Sequence, residues 1–228
     1  MKHSNQTIAK QAVLFDLDGT LVDTAGDLID SLNLLLTQHQ REPLPYQHLR
    51  PYASDGSRGL IKQAFNITEE AAQFSALRQQ YLAIYHQMIS ETNKPPHLFN
   101  QVQTFLTQLE QNAVPWGIVT NKPRYLTELI ISQSEPLAKN QVLVCGDDLR
   151  PKPYPDGLLL ASRKLGLAAE DCIYVGDHER DIIAGKSAGM LSIAVAYGYS
   201  PEQDNIENWG ADYIVQSIEE VMLFANGF

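Results

Sequence analysis

Cysteine is nearly missing from this chain: 228 residues carry only Cys145 and Cys172. With no close pair, they exclude a disulfide framework and suit two small core residues in a reducing compartment. Basic residues are also scarce, 17 Lys and Arg against 27 Asp and Glu, for a formal net charge of −10. That balance argues against nucleic acid or an anionic membrane as the main partner, since both need clustered cations. It leaves room for a phosphorylated small molecule, whose charge a metal and one lysine can meet locally. No apolar run is long enough to span a bilayer, and the opening "MKHSNQTIAKQ" has no apolar signal region. These features lead to the expectation of a cytoplasmic protein.

What is present is an ordinary globular composition, 44% hydrophobic and 19% charged, in a chain long enough to bury a substantial core. Six short runs rich in β-branched and aromatic residues read as buried strands: "AVLF" (12–15), "PWGIV" (115–119), "QVLVC" (141–145), "CIYVG" (172–176), "LSIAV" (191–195) and "DYIVQ" (212–216). Helical stripes lie between them. Val102, Phe105, Leu106 and Leu109 form one, and Leu158, Leu159, Ala161 and Leu165 another. Ile182, Ile183, Lys186 and Ala188 form a shorter one, with Gly189 as its C-cap. Alternation of strand and helix predicts an α/β fold, a doubly wound parallel sheet of Rossmann-like character.

Residues 24–95 break that rhythm, because they hold no convincing strand. Leu28, Ile29, Leu32, Leu35 and Leu36 make one amphipathic stripe. Phe74, Leu77, Tyr81, Ile84 and Met88 make a second, on alternating steps of three and four. Thr68, followed by Glu69 and Glu70, reads as the start of that helix. "NKPPHLFN" (93–100) reads as the return linker, and "SDGSRGL" (54–60) as a glycine-broken loop. The expected division is therefore an α/β core of residues 1–23 and 96–228, with a helical cap of 24–95 inserted after the first strand.

The segment "AVLFDLDGTLVDT" (12–24) carries the chemical signal. Ligands of doubly wound sheets bind beyond the carboxyl ends of the strands, and Asp16 stands at such an end. If extended geometry persists, Asp18 faces the same way. Two carboxylates so close repel unless a proton or a cation intervenes, which points to a hard divalent ion such as Mg²⁺. A "DG" pair by itself is equally a turn signal. The full string D-x-D-G-T after a buried strand is expected by chance only on the order of once in 10³ chains of this size.

At this point the chain resembles the haloacid dehalogenase-like hydrolase superfamily, whose first motif is D-x-D-G-T-[LV]-x-D. Its three further motifs follow in order: Thr120 in "GIVTN", Lys152 in "RPKPYPD", and Asp177 with Asp181 in "YVGDHERD". Singly these residues have plainer readings, as a turn cap, a solvated lysine and charges compensating a helix N-terminus. Their joint order favours the resemblance. It implies that Asp16 is a nucleophile forming an aspartyl-phosphate and that Asp18 is the acid and base, lending its backbone carbonyl to the metal. It further implies that Thr120 and neighbouring N–H groups hold phosphoryl oxygens, and that Lys152 neutralises charge. Asp177 would complete a Mg²⁺ shell, with Asp181, one turn later, joining directly or through water. His178 and Glu179 occupy variable positions of the fourth motif, and imidazole matches Mg²⁺ poorly.

The acid at position 18 favours phosphoryl transfer over dehalogenation, and hydrolysis over the hexose-phosphate mutase alternative. No motif is broken, which disfavours a non-catalytic binding module. "VTNKP", "GDDL", "KPYPDGLLLA" and "YGY" (197–199) resemble the phosphoglycolate phosphatase branch. "GDHERD" and "NWGADYIV" (208–215) resemble N-acetylmuramic acid 6-phosphate phosphatases of cell-wall recycling. Both substrates carry a carboxylate. Arg58 is the candidate to recognise that second anion, and Asn121 a further substrate-binding candidate. The expected partner is a small phosphorylated metabolite; oligomeric state is left open.

Overall fold

Alternate residues of the first strand belong to different hydrophobic cores, and the architecture follows from that. In the computed structural model, which describes residues 11–92, 94–199 and 205–225, β1 (Ala12–Phe15) sends Val13 and Phe15 to one face and Ala12 and Leu14 to the other. A strand buried on both faces belongs in the middle of a parallel sheet. The expectations about residues 1–10, Asn93 and the segments 200–204 and 226–228 lie outside the described residues.

After β1 come α1 (Ala25–Gln38), α2 (Tyr46–Leu49), α3 (Gly56–Phe65) and α4 (Phe74–Glu91). The chain then returns through α5 (Val102–Gln111), β2 (Trp116–Val119), α6 (Arg124–Ser132), α7 (Glu135–Ala138) and β3 (Val142–Val144). It finishes with α8 (Asp156–Lys164), β4 (Cys172–Gly176), α9 (Glu179–Ser187), β5 (Leu191–Val195) and β6 (Tyr213–Val215). The six strands are parallel, in the order β3-β2-β1-β4-β5-β6. Strand order reverses beside β1, so the crevice at the carboxyl ends of β1 and β4 is the topological switch point. Residues of α5 and α6 pack on the face of Phe15 and Trp116, and residues of α8 and α9 on the face of Leu14 and Tyr174. Each of the six predicted runs is a strand, to within one residue at either end.

Between β1 and α5 the described residues form helices, turns and loops only, apart from isolated bridges of Val22 to Asp18 and to Leu98. The Val22–Leu98 bridge, with Asp23 N–H donating to the His97 carbonyl at 2.8 Å and Phe99 N–H to the Leu21 carbonyl at 3.1 Å, ties the outgoing and returning chains together. Among the described residues no helix is long and apolar enough to cross a membrane.

Several local expectations are corrected. The stretch "SDGSRGL" is not a loop: α3 begins at Gly56, whose φ of +57° favours glycine. Helix α4 begins at Phe74 rather than Thr68, since residues 68–73 form turns and Glu69 is drawn to α3 by Arg58 and Lys62. Its buried face runs Leu77, Tyr81, Tyr85 and Ile89, on steps of four, instead of passing through Ile84 and Met88. In α9 the buried residues are Asp181, Ile182, Ala184 and Gly185, while Ile183 is exposed. A Cβ on Gly185 would lie 2.4 Å from Ser192 Oγ, so α9 sits hard against β5 on that face and Ile183 and Lys186 turn outward.

Candidate active site

Four strand ends deliver the motif residues to one crevice. Asp16 follows β1, Thr120 follows β2, Asp177 follows β4, and Lys152 reaches in from the loop between β3 and α8. A parallel sheet puts all those ends on one edge, so residues 16 to 181 meet despite their separation in sequence.

Lys152 is the centre of the charged network. Its Nζ lies 2.9 Å from Asp16 Oδ1 and 2.7 Å from Asp181 Oδ1, with side-chain exposures of 2%, 6% and 0% for the three residues. It also donates to the Val119 carbonyl at 3.1 Å and to Tyr174 Oη at 2.7 Å, and Tyr174 donates in turn to Val119 at 2.9 Å. The ammonium is thus held by fixed acceptors at a buried point, where a charge is stable only when fully paired. Asn121 secures its backbone: Lys152 N–H donates to Asn121 Oδ1 at 2.8 Å, and Asn121 Nδ2 donates to the Lys152 carbonyl at 2.9 Å. The amide of Asn121 therefore serves the lysine loop, although the residue borders the cavity.

Asp16, Asp177 and Asp181 each offer a carboxylate oxygen, and those oxygens lie within 4.8 Å of one another. This cluster could hold a metal ion, and its hard oxygen donors fit a divalent cation of the Mg²⁺ kind. Burial pushes the Asp177 carboxyl up to about 7, with the Asp181 and Asp16 charges adding to it. Burial likewise raises Asp16, in spite of Lys152. Burial would raise Asp181 too, but Lys152 and Arg180 outweigh it and hold that carboxyl low. Desolvated carboxylates that crowd one another are a favourable site for a cation.

The fourth motif is built as a helix cap. His178 Nδ1 accepts from Arg180 N–H at 3.2 Å, and Asp181 Oδ2 accepts from His178 N–H at 3.1 Å, closing a capping box at the start of α9. Asp177 accepts at Oδ2 from Ser54 Oγ at 2.8 Å and from Tyr199 N–H at 3.1 Å. Gly19, at φ +84°, passes so near that a Cβ there would lie 2.0 Å from Asp177 Oδ2. Glycine in the opening motif therefore serves a close approach between the first and fourth motifs as well as a turn.

Extended geometry stops at Phe15, and Asp18 finds separate partners. Its Oδ1 accepts from Thr24 Oγ1 at 2.7 Å, and Lys122 Nζ lies 3.0 and 3.1 Å from its two oxygens. Asp16 and Asp18 are thus paired with different lysines, and the Asp18 carboxylate stands outside the three-carboxylate cluster. Thr120 is buried, and its Oγ1 accepts from Lys122 N–H at 3.2 Å, leaving its own proton to donate.

Sequence reasoning missed Lys122, whose signal was a lysine three residues past the end of a buried strand. Its Nζ sits 4.6 Å from the centre of the Tyr85 ring, so the residue joins the sheet to the helical segment. Arg180 does the same: it donates to Asp55 Oδ1 at 3.0 Å and to the Ser54 carbonyl. Tyr199, inside "YGY", accepts from Thr24 and Ala25 N–H and donates to the Val22 carbonyl, bolting down the opening loop. The sequence marked that stretch only by resemblance, without a role.

A cavity of about 350 Å³ adjoins these groups, bordered by Asp16, Asp18, Thr120 and Lys152 on the sheet side and by α3 and α4 on the other. Arg58 lines it from the first turn of α3, but it is ion-paired with Glu69 and its side chain is 58% exposed.

The haloacid dehalogenase-like hydrolase family model matches residues 13–195. A phosphoglycolate phosphatase of Xanthomonas campestris is 42% identical over 207 residues, covering 90% of this chain and 92% of that protein. An N-acetylmuramic acid 6-phosphate phosphatase of Pseudomonas aeruginosa is 36% identical over 213 residues, covering 93% of each. The crystal structure of a predicted phosphoglycolate phosphatase from Haemophilus somnus superposes with a TM-score of 0.80 at 23% identity, covering 94% of this chain and 97% of that one, which bears on the fold alone. On the family match, the extent of these identities and the fold, the chain belongs to the haloacid dehalogenase-like hydrolases.

Proposed function

We propose that this enzyme is a Mg²⁺-dependent phosphomonoesterase that works through an aspartyl-phosphate on Asp16. The observation that carries the proposal is the junction of Lys152, Asp16 and Asp181, with Asp177 completing a buried carboxylate cluster at the switch point of the sheet. In the first step an Asp16 oxygen attacks phosphorus, and the bond from phosphorus to the ester oxygen breaks as Asp18 passes a proton to that oxygen. In the second, Asp18 takes a proton from water, which attacks phosphorus, releases inorganic phosphate and restores Asp16. Lys152 and the Thr120 hydroxyl stabilise charge on the moving phosphoryl group. Asp16 and Asp177, with Asp181 directly or through water, would hold the divalent ion, which when bound neutralises phosphoryl oxygens.

The helical segment of residues 24–95 acts as a cap over the sheet. Contacts of Ser54 with Asp177, of Asp55 with Arg180 and of Tyr85 with Lys122 support that reading. Closure of this kind excludes water from the acyl-phosphate until the leaving group departs.

The substrate is a small phosphorylated metabolite that carries a carboxylate, as do those in the names of both relatives. Identity favours 2-phosphoglycolate, at 42% against 36%. The cavity of about 350 Å³ favours the larger acidic sugar phosphate, since pockets of this size enclose ligands well beyond nine heavy atoms. Phosphate release with Mg²⁺ from both compounds decides. A preference of a hundredfold in kcat/KM, about 2.7 kcal/mol in transition-state binding, names the substrate, and no release from either disproves the proposal.

A further inference from the structure

The cavity wall has a charge pattern opposite to that of the chain. Six cations and four carboxylates line it, in a protein of formal net charge −10. Most of the cations are already matched. Lys152 holds Asp16, Lys122 holds Asp18, Arg180 holds Asp55, and Arg58 and Lys62 share Glu69. The exception is Arg78 of α4, which has no ion-pair partner among the described residues. It is half-buried, and its Nε donates to Ser57 Oγ at 3.0 Å, which anchors the guanidinium against the start of α3. Burial first, and the Arg58 charge second, hold its pKa below the usual guanidinium value. Such a cation is short of a counter-anion.

We propose that Arg78, steadied by Ser57, is the specificity-determining residue that receives the substrate carboxylate, at the end of the cavity remote from Asp16. Arg58, the candidate suggested by the sequence, already has a carboxylate partner in Glu69, whereas Arg78 has none among the described residues. This inference rests on the carboxylate-bearing substrate class proposed above and narrows it. Tyr85, whose ring carries the Lys122 ammonium beside Asp18, lies seven residues beyond Arg78 on α4, about 10 Å along a helix axis. Helical side chains lean alike toward the N-terminus, so the guanidinium and the Tyr85 ring keep that separation along the axis. In 2-phosphoglycolate three bonds separate phosphorus from the carboxylate carbon, on the order of 4 Å. In an acidic sugar phosphate such as N-acetylmuramic acid 6-phosphate a pyranose ring intervenes. The favoured class is thus a sugar phosphate bearing its carboxylate across the ring from the phosphate. A guanidinium meets that group bidentately.

Binding to the Asp16→Asn variant with Mg²⁺, followed calorimetrically, reads recognition without turnover. The probes are N-acetylmuramic acid 6-phosphate and N-acetylglucosamine 6-phosphate, the same sugar without the lactyl carboxylate. The expected result is a preference of at least thirtyfold for the first, reduced below threefold by adding Arg78→Ala and kept when Arg58→Ala is added instead. Binding of the second sugar reports on folding and should be unchanged by Arg78→Ala. Absence of the preference, or its survival in the Arg78→Ala background, overturns the inference. So does a matching loss of 2-phosphoglycolate affinity on Arg78→Ala, because it would place the arginine near the phosphate. Phosphate release by the wild-type enzyme judges the phosphatase reading separately, since a binding preference can hold with or without turnover.

Discussion

Ionic groups on the sheet and ionic groups on the helical segment are held in opposite ways. At the strand ends Lys152, Asp16 and Asp181 are almost completely buried, and the ammonium has four acceptors. On the helical side Arg58 pairs with Glu69 at side-chain exposures of 58% and 34%, and Asp55 meets Arg180 at 44%. Buried pairs cannot rearrange without leaving a desolvated charge, so they fix geometry. Exposed pairs exchange readily with water and hold their partners weakly. The sheet edge therefore holds its charges in a fixed arrangement, and the helical segment holds its own in one that can adjust, as the cap role proposed for it requires.

The sharpest way to break this comparison is Asp16→Asn. Turnover should fall by more than a hundredfold while the thermal midpoint holds or rises, because one member of a crowded carboxylate cluster is neutralised. Activity above a hundredth of wild type would show that the nucleophile is elsewhere. Lys152→Met comes next, since it strands two buried carboxylates. Denaturant unfolding should register a loss of about 3–5 kcal/mol, and a loss below about 1 kcal/mol would mean that the centre is not rigid in the sense described.

A smaller effect concerns pH. The Asp177 carboxyl stands at about 7 in the folded chain against an ordinary 3.8. Between those values the folded state binds the extra proton, so through Asp177 stability is highest on the acid side and declines as pH rises toward 7. Without metal, the thermal midpoint should fall from about pH 5 to about pH 8. Saturating Mg²⁺ should flatten that slope, because a bound cation replaces the proton. A midpoint that climbs with pH in chelator would contradict the assignment. Smallest of all is Arg58→Ala, which should change stability by about 1 kcal/mol or less, since its ion pair is exposed. A markedly larger loss would move that residue from the adjustable side of the comparison to the rigid one.

How far these regions could be read in advance also differs between them. Strands such as Cys172–Gly176 and Leu191–Val195 were legible because a doubly buried strand must be apolar along its whole length, and the pattern is complete within five residues. Helix α4 was legible as a helix and in the first part of its buried face, Phe74, Leu77 and Tyr81, but not in its start or in the later turns of that face. Tyr85 is buried with Lys122, a residue of another element, against its ring, a contact that the local pattern does not reveal. The position of Thr68 was misleading for a similar reason. It resembles a cap locally, yet Glu69 is engaged by Arg58 and Lys62 of α3.

The candidate site shows the same split. Asp16, Thr120, Lys152, Asp177 and Asp181 could be named from the motifs, and the structure brings all five to one crevice. Arg180 and Arg78 could not, because arginines on helices are usually solvated and nothing in their immediate sequence says otherwise, and Lys122 carried only the weak signal of a lysine just past a buried strand.

By itself the sequence determined the order of strands and helices along the chain and the set of residues that the four motifs nominate, because hydrophobic periodicity and motif spacing are properties of a few consecutive residues. Only the tertiary structure decided which lysine neutralises which aspartate, that Gly19 must lack a side chain to clear Asp177, and which cavity arginine has no carboxylate partner among the described residues. Those outcomes depend on distances between segments more than a hundred residues apart, or between helices packed across a cleft, and such distances exist only once the sheet has formed and the helices have closed against it.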